Sequence, residues 1–146
     1  MIREIKVNVS APYSVFIGPC AIENLETLIP ESVERVAVFH APAVANVAKS
    51  LLSNSSKQVF LFELPDAEQA KSVEVLQKAW DFLGEKGFTR SDLVISLGGG
   101  ATTDVAGFIA ATWLRGIMII HIPTTLLAMV DAAVGGKTGI NTTTGK

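Results

Sequence analysis

The sequence predicts an α/β fold, in which a mostly parallel sheet is flanked by helices and an antiparallel strand pair precedes it. Two observations indicate this fold: short apolar runs alternate with helical patterns from residue 35 onward, and one apolar run leads directly into a glycine triplet at residues 98–100. The chain has 146 residues, of which 49% are hydrophobic, so it is large enough for one compact domain with a buried core.

Alternation of apolar and polar residues predicts the N-terminal elements. Apolar residues alternate at Ile5, Val7 and Val9, and again from Tyr13 to Ile17, which predicts an antiparallel pair that ends at Gly18. A short helix is expected at 22–28.

The residues from 35 onward predict the strands and helices of the parallel sheet. The most regular helix begins near Glu68, where apolar residues recur at helical spacing, and Gly87 is expected as the residue just after its end. Further helices are expected at 42–52 and 101–114, and strands at 35–39, 58–63, 92–97 and 117–122. The arrangement is Rossmann-like, and such sheets bind ligands beyond the carboxyl ends of their strands.

Charge and composition argue against several classes of partner. A formal net charge of −2 without a basic run argues against nucleic acid binding. The longest strongly apolar stretch without charge, residues 116–130, is too short and too interrupted for a membrane span and is expected to be buried interior. A single cysteine, Cys20, and an N-terminus without the apolar run of a signal peptide indicate the cytoplasm.

Charges are scarce in the last third of the chain, which is expected to be mostly buried. Because buried charges are costly unless they are paired or face a ligand, the few that remain are candidates for chemistry. They are Asp104, Arg115, Asp131, Lys137 and Lys146.

The glycine triplet is the first candidate site. Gly98, Gly99 and Gly100 stand between a strand and a helix, where the backbone can approach a ligand and the helix N-terminus attracts an anion. The triplet fits a pyrophosphate cradle or a tight β–α turn, and its spacing is not G-x-G-x-x-G. Asp104, expected in the first turn of the helix, either accepts a hydrogen bond from a cofactor or complements the helix dipole.

Polar residues after the next strand form a second candidate group. Thr124 and Thr125 either cap a helix or hold a cofactor. Asp131 and Lys137 suit a phosphate or polyhydroxylated ligand, or else form a buried ion pair beside a linker. Arg115 either extends to solvent or meets an anion.

The remaining candidates are weaker. Glu68 and Lys71 are expected at a solvated helix start. Trp80 and Trp113 are expected in the core. His40 and His121 are isolated, and no cluster has the spacing of metal ligands.

Several motifs together resemble 3-dehydroquinate synthase. They are PDAEQAKS at 65–72, GGGATTDVAGF at 98–108, WLRG at 113–116, PTTLLAMVDAAVGGKTGIN at 123–141 and GK at 145–146, while YSVFIG at 13–18 resembles the family's N-terminal strand. The resemblance covers nearly the whole chain, but only the N-terminal domain of a family whose members are usually more than twice this length.

The resemblance implies that residues 1–146 form an NAD-binding N-terminal domain. The implied cofactor-binding residues are Asp66, Glu68, Lys71, Gly98, Gly99, Gly100, Asp104, Thr124, Thr125, Leu127, Asp131, Lys137 and Lys146. The implied catalytic residues are Lys137 and Arg115, as charges on the substrate phosphate, and Asp131, as an orienting hydrogen-bond partner of a substrate hydroxyl. The matching arginine of the family reaches the site of the neighbouring subunit, so a homodimer is also implied.

The resemblance also implies an activity for the complete protein. The family converts a sugar phosphate, 3-deoxy-arabino-heptulosonate 7-phosphate, into 3-dehydroquinate and phosphate in the shikimate pathway, with transient use of NAD. Its divalent metal, Zn or Co, is bound by a Glu and two His of a C-terminal helical domain that this chain lacks. The chain is therefore expected to be inactive alone.

Three departures from the family pattern concern the cofactor site. Thr103 stands where the family usually has glycine, which would narrow the cofactor loop, and Ala67 replaces another common glycine. No aspartate lies near His40, where the family often places one for the adenosine ribose.

Two alternatives remain open from the sequence. An NAD-dependent polyol dehydrogenase domain of the iron or glycerol type has similar glycine and Pro-Thr-Thr motifs, but there Gly-Thr-Gly-Ser-Glu normally follows, instead of Leu-Leu-Ala-Met-Val-Asp. The other alternative is a nucleotide-binding module without catalytic activity.

Overall fold

The structure is a computed structural model that describes residues 1–145, and the chain divides into two compact units. The first unit, residues 1–30, contains β1 (Arg3–Val7) and β2 (Tyr13–Ile17), which pair antiparallel with Arg3 opposite Ile17. A single 3-10 turn then leads into α1 (Leu25–Leu28). The predicted strand pair is confirmed, although β1 ends at Val7 and the first half of the predicted helix is 3-10 in form.

The second unit begins at Glu31 and contains a four-stranded parallel sheet. Its strands are β3 (Arg35–His40), β4 (Gln58–Glu63), β5 (Leu93–Gly98) and β6 (Met118–Pro123), and its helices are α2 (Ala45–Ser50), α3 (Val73–Glu85), α4 (Gly100–Thr112) and α5 (Leu126–Val130). The predicted fold class is therefore confirmed.

The strand order, β4-β3-β5-β6, defines where a ligand would bind. The chain crosses from β3 to β4 on one side and then to β5 and β6 on the other, so right-handed connections place α2 on one face of the sheet and α3 and α4 on the opposite face. The direction of winding reverses between β3 and β5. The carboxyl ends of these two strands therefore flank the crevice in which sheets of this kind bind ligands.

The core lies where α3 and α4 pack on the sheet. Helix α3 buries one stripe of apolar side chains, and α4 is apolar on most sides. Their buried residues form one core cluster with Ala37 and Phe39 of the central strand β3. Trp80 and Trp113 are only half-buried against this core. Their indole nitrogens donate to the Thr112 hydroxyl and the Phe88 carbonyl, because a Trp N–H needs an acceptor when it leaves water.

Helix α3 begins later than its apolar spacing predicted. Ser72 is the N-cap, and its side chain accepts a hydrogen bond from the Val75 N–H at 3.2 Å. Residues Ala67–Lys71 form a 3-10 turn before this cap. At the other end, Gly87 has φ +68°, which confirms its predicted place after the helix.

The last third of the chain is less buried than predicted. Strand β6 is half-buried, because it lies at the edge of the described sheet rather than between two strands. In α5, Ala128 is buried, but Leu126 and Leu127 are 76% and 68% exposed. No helix in residues 1–145 combines the length and apolar character needed to cross a membrane.

Candidate functional site

The glycine triplet closes β5 and opens α4. A Cβ on Gly98 would lie 2.6 Å from Thr102 Oγ1, and one on Gly99 would lie 3.3 Å from Thr125 Cγ2. A Cβ on Gly100 would meet no protein atom within 4 Å. The first glycine is thus required by packing within the β–α turn, whereas Gly100 borders open space. The tight-turn interpretation is supported for Gly98, and the pyrophosphate cradle stays a prediction for Gly100.

The start of α4 has the features of an anion site. Gly99 is the N-cap and provides no side-chain cap, and the Thr103 N–H donates to the Gly99 carbonyl at 3.0 Å. The N–H groups before Thr103 stand in the first turn, where a helix has no acceptors of its own and carries partial positive charge. The buried Thr103 hydroxyl also donates to the Gly99 carbonyl, so this side chain is directed back to the helix backbone.

The threonines after β6 lie beside the triplet. Gly98 pairs with Pro123 across the sheet, and the Thr124 N–H donates to the Gly98 carbonyl at 2.8 Å. Thr125 is the N-cap of α5, where its hydroxyl accepts from the Ala128 N–H, which confirms the capping alternative for this residue. The Thr124 and Leu127 side chains are exposed at the same edge.

A buried ion pair joins Lys71 to Asp104. Lys71 Nζ lies 2.7 Å from Asp104 Oδ2 and 3.4 Å from Glu68 Oε1, and the Lys71 side chain is only 6% exposed. Burial by itself lowers the pKa of Lys71, but the two carboxylates outweigh it and hold the pKa above its ordinary value, so the ammonium stays charged. The expected solvated helix start is wrong for Lys71, because the 3-10 turn brings this residue against α4.

Asp104 lies one residue further into α4 than predicted, just beyond its first turn. The helix begins at Gly100, so Asp104 is its fifth residue, and its carboxylate is paired with Lys71. The same turn of chain that carries Lys71 begins at Ala67, whose φ is +48°. This left-handed conformation favours glycine, so alanine is strained at this position. Asp66 precedes it and is exposed.

Asp131 and Lys137 lie in the exposed segment after α5. No ion pair joins them anywhere in the part of the chain that the structure describes, so the alternative of a buried pair is wrong. The backbone favours glycine at two positions between them. A Cβ on Gly135 would lie 2.8 Å from the Asp131 carbonyl, and Gly136 has φ +67°. Both charged side chains are open to a ligand.

Sequence reasoning missed several polar residues around the ion pair. The Thr138 hydroxyl donates to the Asp104 carbonyl, and Asn141 binds both Lys71 and Glu68. Both belong to the motif at 123–141, in which no role was assigned to either residue. His121 contacts the Ser96 hydroxyl through Nδ1 at 2.7 Å, and burial lowers its pKa despite the nearby Asp104 charge.

Arg115 is not brought to this edge of the sheet. It is exposed and lies three residues before the start of β6, whose six residues run for about 20 Å before reaching Thr124. Leu114 and Arg115 have φ values of +48° and +71° in the turn between α4 and β6, which lies at the amino end of the parallel sheet.

Two predictions remain, one on Lys146 and one on metal binding. Lys146 lies outside residues 1–145. Within that range, no group of three or more His, Cys, Asp or Glu side chains is placed to hold a metal ion.

The position of α4 determines the class of protein. A parallel, doubly wound sheet whose winding reverses beside a helix that begins at a glycine triplet is a Rossmann-like domain. Comparison with protein families is more specific: the family model described as 3-dehydroquinate synthase N-terminal matches residues 61–146, and the chain belongs to this family.

Curated relatives agree with that assignment. A 3-dehydroquinate synthase of Streptomyces avermitilis is 51% identical over 138 residues, which are 92% of this chain and 38% of that protein. One of Corynebacterium glutamicum is 51% identical over 146 residues, which are 97% of this chain and 40% of that protein. The chain therefore spans about two fifths of the length of these relatives.

A solved structure shares the fold. A 2-deoxy-scyllo-inosose synthase, crystallised with carbaglucose-6-phosphate, NAD+ and Co2+, matches all of this chain and 41% of its own with a TM-score of 0.87. The sequence identity is 23%, so the likeness concerns the fold alone.

Proposed function

We propose that this chain is the cofactor-binding part of a 3-dehydroquinate synthase and binds NAD at the carboxyl edge of its sheet. The complete enzyme would convert 3-deoxy-arabino-heptulosonate 7-phosphate into 3-dehydroquinate and phosphate. The observation that carries the proposal is the family match over residues 61–146, the part of the chain that contains the glycine triplet, the Lys71–Asp104 pair and the segment with Lys137. The match favours this activity over the polyol dehydrogenase alternative.

The residues at the edge fit a dinucleotide. The open side of Gly100 and the first-turn N–H groups of α4 suit a pyrophosphate, with Gly98 and Gly99 forming the turn behind it. Asp66, Glu68 and Lys71 would contact the adenine-side ribose, and Asp104 the groups next to the pyrophosphate. Thr124, Thr125 and Leu127 would border the nicotinamide half, with Lys146 as a further cofactor-side cation.

Charged residues of this chain would bind and orient the substrate. Bound NAD would supply a reversible acceptor for the hydride of the carbon that bears a substrate hydroxyl. Lys137, exposed and unpaired with Asp131, would neutralise the substrate phosphate, and the Asp131 carboxylate would orient a substrate hydroxyl. Neither role requires proton transfer by these residues.

Arg115 supports a homodimer as part of the proposal. Because the length of β6 separates it from Thr124, it would serve a substrate phosphate in the partner subunit rather than in its own. The divalent metal, Zn or Co, would be bound by the rest of the protein, because the described residues do not fit it. We place the enzyme in the cytoplasm.

NAD binding tests the cofactor site with this chain alone. Gly100→Ala should fold normally, since its Cβ meets no protein atom, but it should weaken NAD binding in calorimetric titration. Gly99→Val should weaken binding further, because a larger side chain would enter the same space and press on Thr125. Gly84→Ala in α3, where the added Cβ would make an ordinary contact with Trp113, is the matched control. Equal affinities for all four proteins would remove the triplet from the site.

Turnover tests the enzyme assignment. The 146-residue chain should form no 3-dehydroquinate, and the chain extended to the full length of its relatives should do so. In the extended protein, Lys137→Ala should reduce kcat/KM by about 10- to 150-fold, because it removes a charge-assisted contact worth roughly 1.5–3 kcal/mol. Lys78→Ala, at an exposed position of α3, is the control.

Mixed dimers test the shared site. Arg115→Ala subunits should regain activity when they are paired with subunits that keep Arg115 but carry Lys137→Ala. Activity that follows only the fraction of intact homodimer would contradict this role of Arg115. NAD binding without any turnover by the extended protein would favour the non-catalytic module.

A further inference from the structure

The segment that carries Lys137 is held to the rest of the domain at two points. The Thr138 hydroxyl donates to the Asp104 carbonyl in α4. Asn141 binds the 3-10 turn Ala67–Lys71 twice: its backbone N–H donates to the Lys71 carbonyl at 2.7 Å, and its Nδ2 donates to Glu68 Oε2 at 3.0 Å. We call these contacts the Thr138–Asn141 clamp.

The Asn141 amide is oriented by Glu68. Exchanging its oxygen and nitrogen would place an acceptor against a carboxylate oxygen, so the Nδ2 group must face Glu68. In this orientation the Asn141 Oδ1 is buried and has no hydrogen-bond partner in the part of the chain that the structure describes. A buried acceptor without a partner is unfavourable. The Asn141 amide therefore gains a hydrogen bond to Glu68 but loses part of that gain at its own Oδ1.

Glu68 and Lys71 are themselves joined by an ion pair, and Asn141 contacts both of them. Asn141 thereby connects the Glu68–Lys71–Asp104 cluster to the segment that carries Lys137, through its side chain to Glu68 and through its backbone N–H to Lys71. The backbone bond to Lys71 would survive loss of the side chain, but the bond to Glu68 would not.

We infer that Asn141 is a positioning residue, which acts through Glu68 to hold residues 137–141 against the turn with Lys71 before any ligand binds. Its effect on NAD follows from the proposed function: with the clamp formed, less ordering of the chain remains to be done when the dinucleotide binds. The inference thus adds a residue to which the sequence patterns assigned no role.

Amide hydrogen exchange and NAD titration of the 146-residue chain test this role together. In Asn141→Ala, amides of residues 137–145 should exchange roughly fivefold faster, and NAD should bind roughly fivefold more weakly, as expected for one lost hydrogen bond. The thermal midpoint should stay unchanged, because the unpaired Oδ1 is removed together with the Glu68 bond. Thr143→Ala, in the same exposed segment, is the matched control and should equal wild type.

Reversing the direction of the hydrogen bond between residues 68 and 141 should restore slow amide exchange. Asn141→Asp should accelerate exchange more than alanine does, because two carboxylates would then face each other. Adding Glu68→Gln should return exchange toward wild type, since the introduced glutamine amide can donate to the aspartate.

Each result decides a different point. Exchange in Asn141→Ala that equals the Thr143→Ala control would overturn the clamp, and so would the absence of recovery in the double variant. Faster exchange with unchanged NAD affinity would overturn the effect of Asn141 on the cofactor. Failure of the wild-type chain to bind NAD would refute the proposed function, while the exchange comparison would still decide the positioning role.

Discussion

Replacing Asp92 with alanine should lower the free energy of unfolding by about 3–5 kcal/mol, a large share of the stability of a domain this size. The carboxylate is 2% exposed and lies at the amino end of β5. Its Oδ1 accepts from the Arg35 and Glu34 N–H groups at 2.9 and 3.3 Å, and its Oδ2 accepts from the Thr89 N–H and hydroxyl at 2.7 and 3.0 Å. The substitution would leave these donors without a partner where β3 and β5 begin.

The same carboxylate should contribute to acid sensitivity. Burial raises the pKa of Asp92, but the hydrogen bonds from Thr89, Arg35 and Glu34 outweigh it and hold the pKa below its ordinary value. A depressed folded-state pKa adds stability above the unfolded-state pKa of about 3.9, and this stability is lost as pH falls through the folded value. The stability difference between wild type and Asp92→Asn should therefore shrink below about pH 4.

Urea unfolding at about pH 7, 5 and 3 measures both effects. Asp81→Ala, an exposed position of α3, is the control and should change stability by less than about 0.5 kcal/mol. An Asp92→Ala protein within about 1 kcal/mol of wild type near neutral pH would show that the hydrogen bonds at the amino edge contribute little net stability.

Sequence patterns predicted the elements of the sheet because those patterns are local. The alternation at Tyr13–Ile17 and the apolar run at Gln58–Glu63 predicted the strands with their observed bounds. Apolar content could not show that β6 is an edge strand, since the order of strands depends on contacts between distant parts of the chain. The exposure of Leu126 and Leu127 likewise depends on what packs over α5, which composition does not reveal.

The candidate site was predicted by motif more than by geometry. The glycines at 98–100 and the threonines after β6 do lie together, because the carboxyl ends of adjacent parallel strands meet at one edge. The burial of Lys71 could not be read from its neighbours, since its partner Asp104 lies 33 residues further along the chain. The contact between Asn141 and Glu68 spans 73 residues and left no periodic signal.

Replacing Lys71 with methionine should reduce both stability and NAD affinity. Methionine keeps the apolar volume but removes the ammonium 2.7 Å from Asp104, so the partly buried carboxylate, 27% exposed, would lose its partner. We expect a loss of about 1–3 kcal/mol in the free energy of unfolding, less than for a fully buried pair because water still reaches Asp104. NAD affinity should fall by about tenfold or more, since the proposed ribose contact is also lost.

The raised pKa of Lys71 fixes the pH range of this effect. Such a shift adds stability that is complete below the unfolded-state pKa of about 10.4 and disappears as pH rises through the folded value. The stability difference between wild type and Lys71→Met should therefore be constant from about pH 7 to 9 in urea unfolding. Lys78→Met, on the exposed side of α3, is the matched control.

Adding Asp104→Leu to Lys71→Met separates packing from ligand binding. Replacement of a buried ion pair by apolar residues of similar volume is often neutral or stabilising, so the double variant should recover most of the lost stability. It should not recover NAD affinity, because neither proposed cofactor contact is restored. Recovery of both properties would mean that Lys71 and Asp104 serve only to hold α4 against the turn, and the polar contacts to the dinucleotide would then have to come from the glycine triplet and the threonines alone.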